Sequence, residues 1–327
     1  MIYVEANGIN DPRVNLAVEE HLLRHVRLDE PILLFYINEP SVIIGRNQNT
    51  IEEIDVDYVN TQGIHVVRRL SGGGAVYHDL GNLNFSFITS GSEDLHNFSK
   101  FTGPVIEVLA QLGLEAELHG RSDIFTAGKK ISGNAQYATS GRMFSHGTLL
   151  FDTNLEQMLK ALNPHQVEIE SQAVRSIRNF VTNIRELLPV DINIYGLKES
   201  LLEGIFMQGE IPTYELSQED WDTIQQISTN RYAHWNWNYG HSPKFNLQKE
   251  AKTAAGHIDL RLDILKGRIQ SVKIFGDFAG KRPIEELEDR LVGVRYDRDD
   301  LDTAVNEIDL QPFFGEIEKA EFLSLLY

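Results

Sequence analysis

An α+β fold is what this sequence predicts, and three observations carry that expectation. Strand-like and helical runs are mixed along the chain without the regular strand–helix–strand alternation of a parallel α/β fold. An apolar share of 42% and a charged share of 24% are those of an ordinary globular protein with a core to bury. A length of 327 residues exceeds one small core, and the strand pattern restarts after about residue 245. Two domains are therefore expected, residues 1–245 and residues 246–327.

Asp11-Pro12 supplies a cap and a first-turn proline for the first helix, in which Leu16, Ala17, Leu22, Leu23 and Val26 recur at helical spacing. Short strands follow at Ile32–Ile37, Ser41–Ile44 and Ile64–Val67. Ala75–His78 and Leu83–Ile88 read as a hairpin joined by Asp79-Leu80-Gly81-Asn82. Pro104 reads as the opening of a second helix carrying Val105, Val108, Leu109 and Leu112, with Gly113 as its C-terminal cap. Strands return from Glu115 to Phe151, broken at Gly128-Lys129 and Ser140-Gly141. Helices are expected at Asn154–Leu162, Leu197–Phe206 and Ser217–Ile227. Beyond Gly240-His241-Ser242-Pro243, Ile258, Leu260, Leu262 and Ile264 alternate. A Lys266-Gly267 turn leads to Ile269–Phe275, and helices near Pro283–Leu291, Asp300–Ile308 and Gly315–Leu326 close the chain.

Composition removes several functions. There is no cysteine, which excludes disulfides, thiolate metal sites and cysteine nucleophiles. A formal charge of −18 disfavours nucleic acid as a partner. No stretch reaches the 18 or so apolar residues of a membrane span, and the N-terminus shows no export signal, so the expected compartment is the cytoplasm. His21 and His25 share a helical face without the Glu of a zinc-protease motif and read as surface histidines. Asp297, Asp299, Asp300 and Asp302 lack the glycine of a calcium loop and read as helix caps.

Chemistry concentrates in two segments. In Arg68-Arg69-Leu70-Ser71-Gly72-Gly73-Gly74-Ala75-Val76-Tyr77-His78-Asp79, three adjacent glycines let backbone N–H groups approach an anion, and two arginines stand beside them. A flexible loop with solvated arginines is the alternative. Neither a Walker loop nor a dinucleotide fingerprint is present, and there is no Gly-x-Ser-x-Gly elbow. The second segment, Gly120–Arg142, carries a local charge of +3 within a chain of −18, which suits an anionic small molecule. Asp123 within it reads equally as a Mg²⁺ ligand or as a turn residue opening a strand. Pro283–Asp302, at −5, reads as a solvated helical surface.

At these residues the chain resembles the lipoate–protein ligases. Arg-Arg-Leu-Ser-Gly-Gly-Gly-Ala-Val-Tyr-His-Asp-Leu-Gly-Asn-Leu-Asn-Phe at 68–85 is similar to the family's lipoate-binding loop, and Lys129-Lys130-Ile131-Ser132-Gly133-Asn134-Ala135 to its catalytic-lysine segment. Gly45-Arg46-Asn47-Gln48-Asn49, the helix around Asn15 and Glu19, His146-Gly147-Thr148-Leu149-Leu150, Val174-Arg175-Ser176 and Val181-Thr182-Asn183 match further patches. Ser122 departs from the asparagine expected before Asp123. The resemblance implies a mixed, largely antiparallel-sheet catalytic domain of the biotin/lipoate ligase type with a small α+β C-terminal accessory domain.

It also implies a two-step reaction. Free lipoate and ATP give lipoyl-AMP and pyrophosphate, and a lysine of an E2 lipoyl domain or H protein then takes the lipoyl group. Carried over residue by residue, Arg69, Gly74, Ala75, Val76, Tyr77 and Lys130 match the ATP-binding positions. Ser71, Gly72, Gly73, His78, His146 and Lys130 would bind lipoate. Arg175 and Arg178 would belong to an adenylate loop within 172–187, Asp123 would hold Mg²⁺, and Lys130 would be catalytic. Two unit charges 4 Å apart interact by about 4 kcal/mol at an effective dielectric of 20, so carboxylate and triphosphate meet only where cations compensate. The resemblance leaves three rivals, an ATP-independent octanoyl or lipoyl transferase, a catalytically silent lipoyl-AMP binder, and a biotin–protein ligase, whose arginine–glycine loop is composed differently. The transferases rely on a cysteine that this chain lacks. A monomer is expected, with a basic rim around Arg142 and 172–187 receiving the carrier protein. Because an acyl tail is bound by burial, at about 0.8 kcal/mol per methylene, octanoate should be activated as well as lipoate. Strict rejection of octanoate in an adenylation assay would contradict this.

Overall fold

The computed structural model describes residues 1–6, 8–162, 180–242, 245–276, 278 and 281–327. Contacts divide the chain into two units, Met1–His234 and Trp235–Tyr327. In chain order the first holds β1 (Ile2–Glu5), α1 (Pro12–Arg24), β2 (Ile32–Ile37), β3 (Ser41–Ile44), α2 (Thr50–Glu53), α3 (Val56–Thr61), β4 (His65–Arg68), β5 (Val76–His78), β6 (Asn82–Ser90), α4 (Phe98–Gln111), β7 (Glu117–His119), β8 (Asp123–Thr126), β9 (Lys129–Thr139), β10 (Arg142–Leu150), α5 (Leu155–Ala161), α6 (Ile194–Ile205), β11 (Thr213–Tyr214) and α7 (Gln218–Ile227). The α+β class holds. Eight strands form one mixed sheet in the order β11-β1-β2-β6-β10-β9-β8-β7, parallel across its first three members and antiparallel beyond, while β4-β3-β5 form a small second sheet.

Side-chain alternation on this sheet decides where the site can be. Leu33, Phe35, Leu83, Phe85 and Leu149 project from one face into an apolar core closed by Phe101, Val105 and Leu109 of α4 and Leu197 and Leu201 of α6. The strand register places Tyr36, Asn84, Ser86, His146 and Thr148 together on the opposite face. Asn84 and Ser86 are nevertheless buried, because α1 and the small sheet lie on that side. Both faces are thus largely covered, and one of them is polar.

Two elements differ from expectation. Val76–His78 and Asn82–Ser90 do not pair as a hairpin; β5 pairs with β3 and β6 lies between β2 and β10. The chain steps from one sheet to the other at Asp79, whose carboxylate accepts the N–H groups of Gly81 and Asn154. Helix α4 begins at Phe98, so Pro104 lies inside it rather than at its start. The missing amide would have faced the carbonyl of Lys100, an exposed position where water can serve instead. The turns at Ala127-Gly128 and Ser140-Gly141 have positive φ at both central residues, the twist that tight antiparallel hairpins demand. His21 is buried rather than superficial, with Nε2 2.8 Å from Asp220 of α7, while His25 stacks on it. Arg142 is likewise buried. Its guanidinium donates to the carbonyls of Leu22, Leu23 and Val26 at the end of α1, so it forms no basic rim.

The second unit contains α8 (Trp235–Asn238), a meander of β12 (Phe245–Thr253), β13 (Gly256–Leu265) and β14 (Arg268–Gly276), and helices α9 (Glu285–Leu291), α10 (Arg298–Asn306), α11 (Gln311–Phe314) and α12 (Lys319–Leu326). Ile258, Leu260, Leu262 and Ile264 form its buried face, and Asp297 caps α10 by accepting from Asp299 and Asp300. No helix among the described residues is long and apolar enough to cross a membrane.

Arg68 ties the floor of the site together. Fully buried, it donates to the carbonyls of Gly45 (2.9 Å), Arg46 (3.0 Å) and Gln48 (2.7 Å) and to Thr50 Oγ1 (2.6 Å). Replacing it by methionine would remove a charged donor from three carbonyls, of which Gly45 O keeps a second partner, the N–H of Gln48. Urea unfolding of Arg68→Met should show a loss on the order of 3–5 kcal/mol; a change within experimental error would refute this role.

Candidate functional site

The polar face of the large sheet opens into a cavity of about 180 Å³. Arg69, Gly73, Gly74, Ala75, Val76, His78, Asp123, Lys130 and His146 line it together. So do Tyr36, which no motif marks, and Asn84, Asn134 and Thr148, which lie in the family-like segments without an assigned role. The signal was present in Asn82-Leu83-Asn84-Phe85-Ser86-Phe87, but strict alternation reads equally as one wet and one dry face. Tyr77 stands apart: its ring is buried and its hydroxyl donates to Gln157 of α5 at 2.7 Å. Arg175 and Arg178 lie outside the described residues.

Arg69 is buried within the glycine loop. Its Nε donates to Ser71 Oγ at 3.0 Å and Nη1 to Ile43 O at 2.9 Å, while Nη2 takes the carbonyls of Gly72 (2.6 Å) and Gly74 (2.8 Å). Because a peptide group is planar and trans, carbonyls drawn onto the guanidinium turn the N–H groups of Gly73 and Ala75 away from it. Among the described residues those N–H groups donate to no protein acceptor. The loop is therefore a cradle of free donors over the cavity, in the manner of an anion-binding nest. Gly45 passes beneath it so closely that a Cβ would fall 1.9 Å from Gly73 O.

A buried chain holds this loop to the sheet. Ser71 Oγ lies 2.7 Å from His146 Nε2, and His146 Nδ1 lies 2.9 and 3.1 Å from the two carboxylate oxygens of Glu19. A carboxylate can only accept, so Nδ1 carries a proton and the three side chains form a continuous connection from α1 through β10 to the loop.

Lys130 is placed by a β-bulge. Ile124 pairs with Ser132 and Phe125 with Lys130, so Ile131 is an extra residue on β9 and enters the apolar core. Such bulges re-aim neighbouring side chains. Lys130 Nζ sits 2.9 Å from Asp123 Oδ2, with both side chains about one-third exposed at 34% and 33%. Its carbonyl accepts from Thr182 N at 3.1 Å. A Cβ on Gly133 would approach Nζ to 3.2 Å, so the glycine leaves the amine its space.

The sequence profile of the lipoyl protein ligase A/B catalytic domain matches residues 11–206, and that of the bacterial lipoate protein ligase C-terminus matches residues 242–326. The chain belongs to the lipoate–protein ligase family. It is 52% identical to the lipoate-protein ligase LplJ of Bacillus subtilis, with all of both chains covered. Among solved structures it resembles the bipartite lipoate protein ligase of Thermoplasma acidophilum, described with its E2 lipoyl domain, at a TM-score of 0.67 and 30% identity over 75% of this chain and 98% of that one. A lipoate-protein ligase A bound with ATP follows at a TM-score of 0.62 and 31% identity, covering 74% and 97% of the two chains.

For a lipoate–protein ligase family member, the donor set at this cavity has a consistent logic. Asp123 is the one carboxylate lining the cavity, about one-third exposed and paired with Lys130; among the described residues no cluster of three or more metal-ligating side chains forms. That suits Mg²⁺, which commonly takes one or two carboxylates and completes its shell with water and substrate phosphates. Burial keeps Tyr36 protonated far above ordinary phenol behaviour and brings Arg69 down to about 10, so both remain donors at neutral pH.

Among the described residues His78 is the most perturbed imidazole. Burial, with Arg69 and His146 nearby, pushes it down to about 3. The folded protein thus holds His78 neutral where the unfolded chain, near 6.5, binds a proton, and stability should fall as pH drops from 6.5 towards 3. Its contribution is complete above 6.5 and is lost at about 1.4 kcal/mol per pH unit at the steepest. Urea unfolding between pH 7 and 5 should show a steeper slope for the wild type than for His78→Gln; equal slopes would contradict the assignment.

Proposed function

We propose that this chain is an ATP-dependent lipoate–protein ligase whose catalytic domain activates free lipoate and octanoate and passes the acyl group to a protein lysine. The observation that carries this reading is the Lys130–Asp123 pair beneath a loop of free backbone donors in one cavity. An ammonium that shares one cavity with a cradle of backbone donors is the arrangement that joining two anions requires.

In the first step a carboxylate oxygen of lipoate forms a bond to the α-phosphorus of ATP. The α–β phosphoanhydride bond breaks, and pyrophosphate departs with the electron pair. Lys130, leaving Asp123, bridges the carboxylate and the α-phosphate and offsets their repulsion. The N–H groups of Gly73 and Ala75 face the phosphates, and Arg69, Ser71, His146 and Glu19 keep the loop in that shape. Gly72, Gly74, Val76 and Tyr77 contribute backbone at the same loop. Asp123 would hold Mg²⁺, which supplies charge neutralisation on the phosphate oxygens. In the second step the acceptor lysine's nitrogen attacks the acyl carbon, the bond to AMP breaks, and an amide remains.

The acceptor is a lysine of a lipoyl domain of an E2 subunit or of the H protein, and the ligase acts as a cytoplasmic monomer. Residues 1–245 carry the chemistry and residues 246–327 are accessory. The absence of cysteine favours this reading over an ATP-independent transferase of the same fold.

Pyrophosphate exchange into ATP should occur and should require lipoate. Lys130→Ala should slow it on the order of 10²–10³-fold while leaving the urea midpoint unchanged, because the side chain is partly exposed and outside the core. Exchange at the wild-type rate from the folded variant would overturn the assignment.

A further inference from the structure

Two buried hydrogen-bond chains run into the cavity, and one of them ends on an atom without a protein partner. It begins at Asn15 on α1, whose Nδ2 lies 2.8 Å from Ile9 O. A backbone carbonyl only accepts, so this end of the amide is the NH₂ group. The same nitrogen donates to Asn38 Oδ1 at 2.9 Å. With its oxygen engaged there, the fully buried Asn38 turns its own NH₂ group to His78 Nδ1, at 2.9 Å. His78 Nδ1 must accept. A neutral ring then carries its proton on Nε2, and burial keeps this ring neutral. His78 is 97% buried and lines the cavity, and its Nε2 has no hydrogen-bond partner among the described residues. The second chain differs, since His146 has partners on both nitrogens.

We propose that Asn15 and Asn38 are positioning residues that fix His78 as its Nε2–H tautomer, and that His78 Nε2–H is the donor to the acyl oxygen of the bound substrate. The inference rests on the lipoate-ligase reading above. One oxygen of the carboxylate attacks phosphorus; the other becomes the carbonyl oxygen of the adenylate. When the acceptor amine adds, its lone pair forms the C–N bond and the carbonyl π pair moves onto that oxygen. The pair returns as the C–O bond to AMP breaks, AMP leaves with that bond's electrons, and the ammonium proton is released. His78 gives up no proton in this sequence. A neutral donor suits an oxygen that is uncharged in the adenylate and charged only at the tetrahedral stage, because its attraction grows with the developing charge. A buried N–H left unpaired otherwise costs on the order of 1–3 kcal/mol, which the substrate oxygen would relieve.

The tautomer can be read without substrate. A two-bond ¹H–¹⁵N correlation of the full-length protein at neutral pH should show His78 protonated on Nε2; protonation on Nδ1 would overturn the proposal. In Asn38→Asp the carboxylate facing Nδ1 should draw the proton there and reverse the tautomer. Single-turnover transfer from synthetic lipoyl-AMP to an apo lipoyl domain should then fall on the order of 10²–10³-fold with little change in KM. A reversed tautomer with undiminished transfer would sink the proposal. Should Asn38→Asp fail to fold, His78→Gln, which keeps an N–H donor, should transfer faster than His78→Leu; equal rates would count against it. Failure of the wild type to transfer from the adenylate would instead overturn the ligase reading itself.

Discussion

The guanidinium of Arg69 is the constraint around which the site is built. Four of its N–H groups are directed at Ser71, Ile43, Gly72 and Gly74, in a pocket where burial has already lowered its basicity to about 10. A glycine run has no intrinsic shape, and ordering it costs more backbone entropy than ordering any other residue type. The guanidinium supplies that order by gathering carbonyls, and peptide planarity converts gathered carbonyls into outward N–H groups. Arginine is suited to this where lysine is not, because its donors form a rigid planar fork. Arg68 does the same for the turn underneath, so the paired arginines shape the anion site from within rather than facing the anion from solvent.

The second theme is a sheet buried on both sides with opposite chemistry on its two faces. Phe35, Phe85 and Leu149 on one side supply the hydrophobic stabilisation. Tyr36, Asn84, His146 and Thr148 on the other supply a preorganised polar surface that water does not need to fill. Buried polar groups are tolerable only when they are satisfied, and most of this stripe is. Asn15, Asn38, Glu19, Ser71 and Arg69 satisfy one another across α1, β2, β10 and the glycine loop. Within the chain that leads to His78 two atoms lack a protein partner, Asn15 Oδ1 at its start and His78 Nε2 at its end, and of these residues only His78 lines the cavity.

Electrostatics follow the same local logic. The chain is strongly acidic at −18, yet the cavity gathers Lys130, free backbone donors and protonated side chains. Long-range steering by net charge is therefore not how anions reach this site; short-range donors in a partly desolvated pocket are. Asp123 keeps Lys130 paired, 2.9 Å from its ammonium.

By itself the sequence determined what depends on neighbours a few positions apart. Asp11-Pro12 starts α1, Ser140-Gly141 turns β9 into β10, and Gly73, Gly74 and Lys130, which the sequence marks, line one cavity. Pro104 misled because helix α4 could absorb one missing amide on its exposed side, and the 76–90 segment misled because a short polar turn joins two sheets as readily as two paired strands. Only the tertiary structure decided the partnerships. Asn38 meets His78 across 40 positions, Ser71 meets His146 across 75, and His146 meets Glu19 across 127. Strand register and the docking of α1 set those encounters, and a shift of one residue would send each strand's side chains to the other face. Local propensity carries no information on that choice, because the two faces of a doubly buried strand differ only in what packs against them.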